Sequence, residues 1–134
     1  MTQPTLVDTS AWVDYLIGRS SPVAETVSTL LSEDNVLICP MVHQEILQGI
    51  RDNNEHLEVK SLLQTIPRLK FDAYAAAEGA ADVYRTLRRQ GITIRKSNDC
   101  LIAWYALQAR IAVLHRDRDF DIMAKPLKLK VMRI

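Results

Sequence analysis

Cysteine is nearly absent from this chain: among 134 residues only Cys39 and Cys100 occur. They form no CxxC pair, which argues against a zinc site. The first residues, MTQPTLVDTS, show neither a basic n-region nor an apolar h-region, so the expected setting is the cytoplasm, where structural disulfides are rare. Both thiols are read as core residues. Long apolar stretches are missing too. The longest, Leu101 to Leu107, is far short of the ~20 residues that cross a bilayer, and no membrane association is expected. No internal repeat, low-complexity tract, Pro/Gly/Ser linker or HxxxH pair is present, which excludes solenoids, long flexible linkers and a two-histidine zinc motif. His43, His56 and His115 are read as surface residues or as neighbours of a site.

What is present is a globular composition. Apolar residues make up 48% and charged residues 25%, as in ordinary folded domains. The length suits one hydrophobic core, so a single domain over residues 1–134 is expected. The net charge of +1 conceals a division: residues 1–67 hold three Lys or Arg against nine Asp or Glu, while residues 68–134 hold fourteen against seven. A basic half fits a polyanionic partner such as a nucleic acid, and it fits a solvated basic surface equally well.

Strand-like and helix-like stretches alternate, which predicts an α/β fold. Thr5-Leu6-Val7 reads as a strand ending at Asp8, followed by a helix capped by Ser10 and carrying Trp12, Val13, Leu16 and Ile17 until Gly18 stops it. Asp14 falls on that helix's solvent side. Pro22 opens a helix to about Ser32, Val36 to Cys39 form a buried strand, and Pro40 opens a helix ending near Gly49. A polar helix then leads to Pro67, Leu69 to Phe71 form a short strand, and a long helix runs from Asp72 or Ala73 to Gln90. Ser97 and Asn98 cap a helix that is apolar on nearly every face, which predicts burial. Ala112-Val113-Leu114 is a strand, Asp119 starts a short helix, and the alternating tail Leu127 to Val131 is a last strand with lysines outward.

Five acids sit where these elements begin or end, and each has two readings. Asp8 follows a strand and precedes a helix, the place where open parallel sheets bind ligands, or it closes an Asx turn. Glu45 lies at the margin of its helix's buried stripe and faces either a cleft or water. Asp99, in the first turn of the apolar helix, is a ligand or a partner of the helix dipole. Asp117 and Asp119 alternate with Arg116 and Arg118. They either share a metal while the arginines meet phosphate or form a charged turn of little energetic weight. If the carboxylates converge, their repulsion, roughly 4 kcal/mol per pair at about 4 Å, calls for a hard divalent cation with oxygen ligands.

The segments Leu6-Val7-Asp8-Thr9-Ser10-Ala11-Trp12, Glu45-Ile46-Leu47-Gln48-Gly49, Asn98-Asp99-Cys100-Leu101-Ile102-Ala103 and Asp117-Arg118-Asp119-Phe120 resemble, in order and spacing, the acidic motifs of PIN-domain ribonucleases. The resemblance spans essentially the whole chain, and in size it is nearest the VapC toxins of bacterial toxin-antitoxin pairs. It implies a three-layer α/β/α fold with a short central parallel sheet flanked by helices. It also implies Mg²⁺- or Mn²⁺-dependent cleavage of RNA, frequent homodimerisation, and inhibition by a VapB-like antitoxin. On that reading Asp8, Glu45, Asp99 and Asp117 are catalytic and, with Asp119, hold metal. Thr9 or Ser10 orients a ligand or water from behind, and Arg95, Lys96, Arg116 and Arg118 are candidates for the RNA backbone. Two alternatives stay open. One is another Mg²⁺-dependent phosphoryl-transfer enzyme, such as a phosphatase of the haloacid dehalogenase type, although Ser10 stands where that group has a second Asp. The other is a non-catalytic module whose acids dock a basic partner.

Overall fold

A computed structural model describes every residue of the chain except Arg133. Three short parallel strands, β1 (Thr5–Val7), β2 (Val36–Leu37) and β3 (Ala112–Leu114), form a sheet in the order β2-β1-β3. Leu6 pairs with Leu37 on one side and with Val113 on the other, so the C-terminal ends of all three strands share one edge. Parallel neighbours need crossover connections, and the intervening helices supply them. Among the described residues these are α1 (Thr9–Leu16), α2 (Pro22–Ser32), α3 (Pro40–Gln48), α4 (Asn53–Gln64), α5 (Ala73–Arg89), α6 (Ser97–Ala109) and α7 (Arg118–Leu127). None is long and apolar enough to cross a membrane.

The central strand is fully buried, as expected for a strand covered on both faces. Around it pack Trp12 of α1, Val27 and Leu30 of α2, Val42 and Ile46 of α3, Leu63 of α4, Leu87 of α5 and Phe120 and Met123 of α7. The apolar helix α6 is central, with Cys100, Ile102, Ala103, Tyr105 and Ala106 all buried. It lies against α5 at Gly79, where an added Cβ would overlap the Trp104 indole. Both cysteines are buried free thiols.

Several local expectations are corrected. The cap of α1 is Asp8, whose carboxylate accepts the Ser10 N–H, because the helix begins one residue before Ser10. Lys96 stands at the N-cap of α6 with no side-chain bond, and Ser97 lies inside the helix. Leu69 to Phe71 do not form a strand: a single parallel bridge joins Arg68 to Ile38, since the Asp72 carboxylate already caps α5 at Ala75. The tail is not a strand either. Leu127 ends α7, Lys128 closes it in the left-handed region at φ 55°, and a single isolated bridge pairs Val131 with Val113. Asp14 faces inward and is 1% exposed.

Candidate metal centre

The acidic residues gather at the C-terminal edge of the sheet. Asp8 follows β1 directly, and its backbone N–H donates to Leu114 O at 2.8 Å, so strand pairing extends to the site. Its Oδ2 accepts the Ser10 N–H at 3.0 Å and the Ser10 hydroxyl at 2.7 Å. Asp99 occupies the first turn of α6, Asp117 caps α7, and Asp119 lies in the first turn of α7. One carboxylate oxygen from each of Asp99, Asp117 and Asp119 lies within 4.8 Å of the other two. Asp8 adjoins this trio and raises the Asp99 pKa, while Glu45 in turn raises that of Asp8. Glu45 is half-buried on α3 and tied to α1 by the Thr9 hydroxyl, which donates to its Oε1 at 2.7 Å.

Burial and mutual repulsion dominate the electrostatics. The Asp99 carboxyl is pushed up to about 7 by desolvation first, then by the charges of Asp8 and Asp117, with Lys96 opposing. Asp8 is also shifted upward by burial, against the hydrogen bonds from Ser10. Cations on the rim offset part of the charge: Arg95 Nε stands 3.7 Å from Asp119 Oδ2, and Lys96 Nζ stands 3.9 Å from Asp117 Oδ2. The offset is incomplete, since Asp99 Oδ2 and Asp119 Oδ2 are buried without a hydrogen-bond donor. Buried acceptors left in that state are costly. Clustered hard oxygen donors with no sulfur or imidazole among them fit Mg²⁺ or Mn²⁺.

All five acids expected from the sequence therefore lie at or beside one edge of the sheet. Of the four cations expected near RNA, Arg95 and Lys96 contact the carboxylates, and Arg116 donates to the buried Asp14 at 2.8 Å. Arg118 is exposed. His115 is a neighbour of the site: its Nδ1 accepts the Asp117 N–H at 2.9 Å, so its Nε2 carries the proton shared with Asp121 Oδ1 at 3.1 Å. The sequence reading missed Asp14, although its place one helical turn beyond Ala11, which is buried, was a usable signal. A separate groove of about 450 Å³ lies between the start of α3 and the segment before α5, lined by Pro40, His43, Arg68 and Phe71 among others, and no acid lines it.

This sheet, with its acids at the strand ends, has known counterparts. Residues 5–126 match the family model of the PIN domain, and the chain belongs to that family. Within it, the chain is 40% identical over 127 residues to VapC ribonuclease Mb1587 of Mycobacterium bovis, a match covering 93% of this chain and 95% of that protein. The same figures hold for Ribonuclease VapC11 of Mycobacterium tuberculosis. A solved structure, VapBC2 from Rickettsia felis bound to a DNA fragment from their promoter, contains a chain of the same fold, with a TM-score of 0.75, 16% identity and 96% of both chains covered. Family membership leaves no ground for the haloacid dehalogenase alternative.

Proposed function

We propose that this protein is a metal-dependent endoribonuclease, the toxin of a toxin-antitoxin pair, held inactive by a VapB-like antitoxin. The observation that carries this reading is the trio Asp99, Asp117 and Asp119 beside Asp8, with two buried carboxylate oxygens unpartnered, in a chain so similar to VapC ribonucleases. Residues 1–134 act as one nuclease domain in the cytoplasm, and the working form is a homodimer.

Asp8, Asp99 and Asp117 would hold Mg²⁺ or Mn²⁺, with Asp119 and Glu45 as further ligands, direct or through water. Such an ion supplies two things phosphodiester hydrolysis needs, neutralised phosphate charge and a water of lowered pKa. The remaining roles belong to the chain. Thr9 fixes the Glu45 carboxylate, and Ser10 fixes that of Asp8, so the donors are ordered before substrate arrives. Arg95 and Lys96, 67% exposed at the rim, exchange their carboxylate contacts for phosphate oxygens as RNA enters, and Arg118 extends the basic surface. The antitoxin reverses this arrangement by placing an Arg or Lys among the same acids.

Purified protein should cut RNA in millimolar Mg²⁺ and stop when EDTA is added. Its induction should arrest growth, and co-expression with the antitoxin should relieve the arrest while the two proteins co-purify. RNA left intact by folded protein in both Mg²⁺ and Mn²⁺ would favour the non-catalytic docking module instead.

A further inference from the structure

Among the described residues Asp14 is the one buried carboxylate outside the acidic cluster. It sits six residues after Asp8, about 9 Å along the axis of α1. Its Oδ1 accepts from Arg19 Nη1 at 3.0 Å and from Arg116 Nη1 at 2.8 Å, and its Oδ2 accepts from the Ser21 hydroxyl at 3.2 Å. Arg19 is local. Arg116 comes from the far end of the sequence, in the link between β3 and α7 that leads straight into Asp117.

The contact continues toward the metal centre. The backbone N–H of Arg116 donates to Ser10 Oγ at 2.8 Å, and the same hydroxyl donates to Asp8 Oδ2 at 2.7 Å. One line of contacts thus runs Asp14, Arg116, Ser10, Asp8. Its midpoint is the residue before Asp117, whose own N–H is held by the His115 ring. A buried carboxylate paired with half-exposed guanidinium groups adds little to stability, because desolvation of the acid offsets much of the Coulomb gain. What it does well is fix one geometry, and here that geometry is the spacing between the β1 end and the β3–α7 link.

We propose that Asp14 is a positioning residue of the metal centre: by clamping Arg116 it sets the link that carries Asp117 and, through Ser10, the orientation of the Asp8 carboxylate. The inference rests on the metal reading above. It assigns the Arg116 side chain to architecture in place of RNA contact.

The test compares four variants by Mn²⁺ affinity, measured without RNA by electron paramagnetic resonance of the free ion, alongside RNA cleavage and melting midpoint. Asp14→Asn and Arg116→Gln should each weaken Mn²⁺ binding about tenfold, the usual effect of removing a group that orients ligands. The double variant should be no worse than either single one, because both cut the same contact. Arg116→Lys, which keeps a cation for the single Nη1 contact, should regain most of the affinity. Arg19→Gln breaks the other half of the Asp14 pair; it should lower the melting midpoint while leaving Mn²⁺ affinity and cleavage unchanged. If Asp14→Asn does not fold, the two Arg116 variants decide alone, since that side chain is half exposed. Wild-type Mn²⁺ affinity in Arg116→Gln, with only the KM for RNA raised, would overturn the proposal and return Arg116 to substrate contact. Equal losses in Arg19→Gln and Asp14→Asn would reduce the network to stability and overturn it too. A wild-type protein that binds no Mn²⁺ would remove the metal reading along with it.

Discussion

At the first turn of α6, Asp99 is buried among like charges with one oxygen unpartnered; about one and a half turns later, Trp104 lies on Gly79 with Phe71 and Tyr105 edge-on at 5.5 and 5.4 Å. The same helix thus carries an unpartnered buried carboxylate oxygen and a close packing contact. Aromatic edge contacts of this kind contribute about 0.5 to 1.5 kcal/mol each beyond the area they bury. Packing of Trp104 on Gly79 of α5 and on Phe71 can therefore hold in place a first turn that its own charges would push apart. Strain at the site and tight packing behind it are complementary, as expected where a site must be ordered before its ligand arrives.

The division between the two regions can be broken most forcefully at Asp99. Asp99→Asn removes one carboxylate charge from the cluster at nearly constant shape. RNA cleavage should fall about a thousandfold, corresponding to roughly 4 kcal/mol of transition-state stabilisation, while the metal-free protein melts no lower than wild type. A gel assay and a melt on the same preparation measure both. The next effect is on pH dependence. In the folded state the Asp99 carboxyl titrates near 7 instead of 3.8, so between those values the folded protein binds more protons than the unfolded chain. Stability in EDTA should therefore fall as pH rises through this window. Saturating Mg²⁺ should flatten the slope, and urea unfolding across a pH series reads it directly.

Smaller effects are expected on the packed side. Gly79→Ala should gain up to about 1 kcal/mol of helix propensity and lose about 1 to 3 kcal/mol to overpacking against Trp104. The net result is a melting midpoint lower by a few degrees with unchanged cleavage per folded molecule. A selective loss of cleavage would show that seam and site are not separable. Least of all should the thiols respond: Cys39 and Cys100 are pushed up to about 11, mainly by burial, so iodoacetamide at pH 8 should label them in urea and leave them unmodified in the native protein.

Much of this was legible in the sequence because local chemistry and tertiary structure agree. Pro22 and Pro40 open α2 and α3, Asp72 caps α5, and three-residue apolar runs form β1 and β3. Parallel pairing then brings Asp8 and the Asp117 link to the same edge. Asp14 was only partly legible: its place one turn beyond buried Ala11 pointed inward, but the guanidinium that pairs with it lies 102 residues away in the sequence. The tail misled for a different reason: Leu127-Lys128-Leu129 alternates like a strand, yet Leu127 completes the turn begun by Met123, and so short a run does not distinguish the two periods. The caps of α1 and α6 shifted by a residue or two because several polar residues stood side by side at each start.

The central claim is that the carboxylates at the sheet edge are a metal site, and thermal unfolding of wild type and Asp99→Asn in EDTA and in millimolar Mn²⁺ tests it most directly. An ion at a hundred times its dissociation constant stabilises the fold by about 2.7 kcal/mol. Wild type should therefore melt several degrees higher in Mn²⁺, with most of that gain lost in the variant. Identical wild-type midpoints in EDTA and Mn²⁺ would contradict the account.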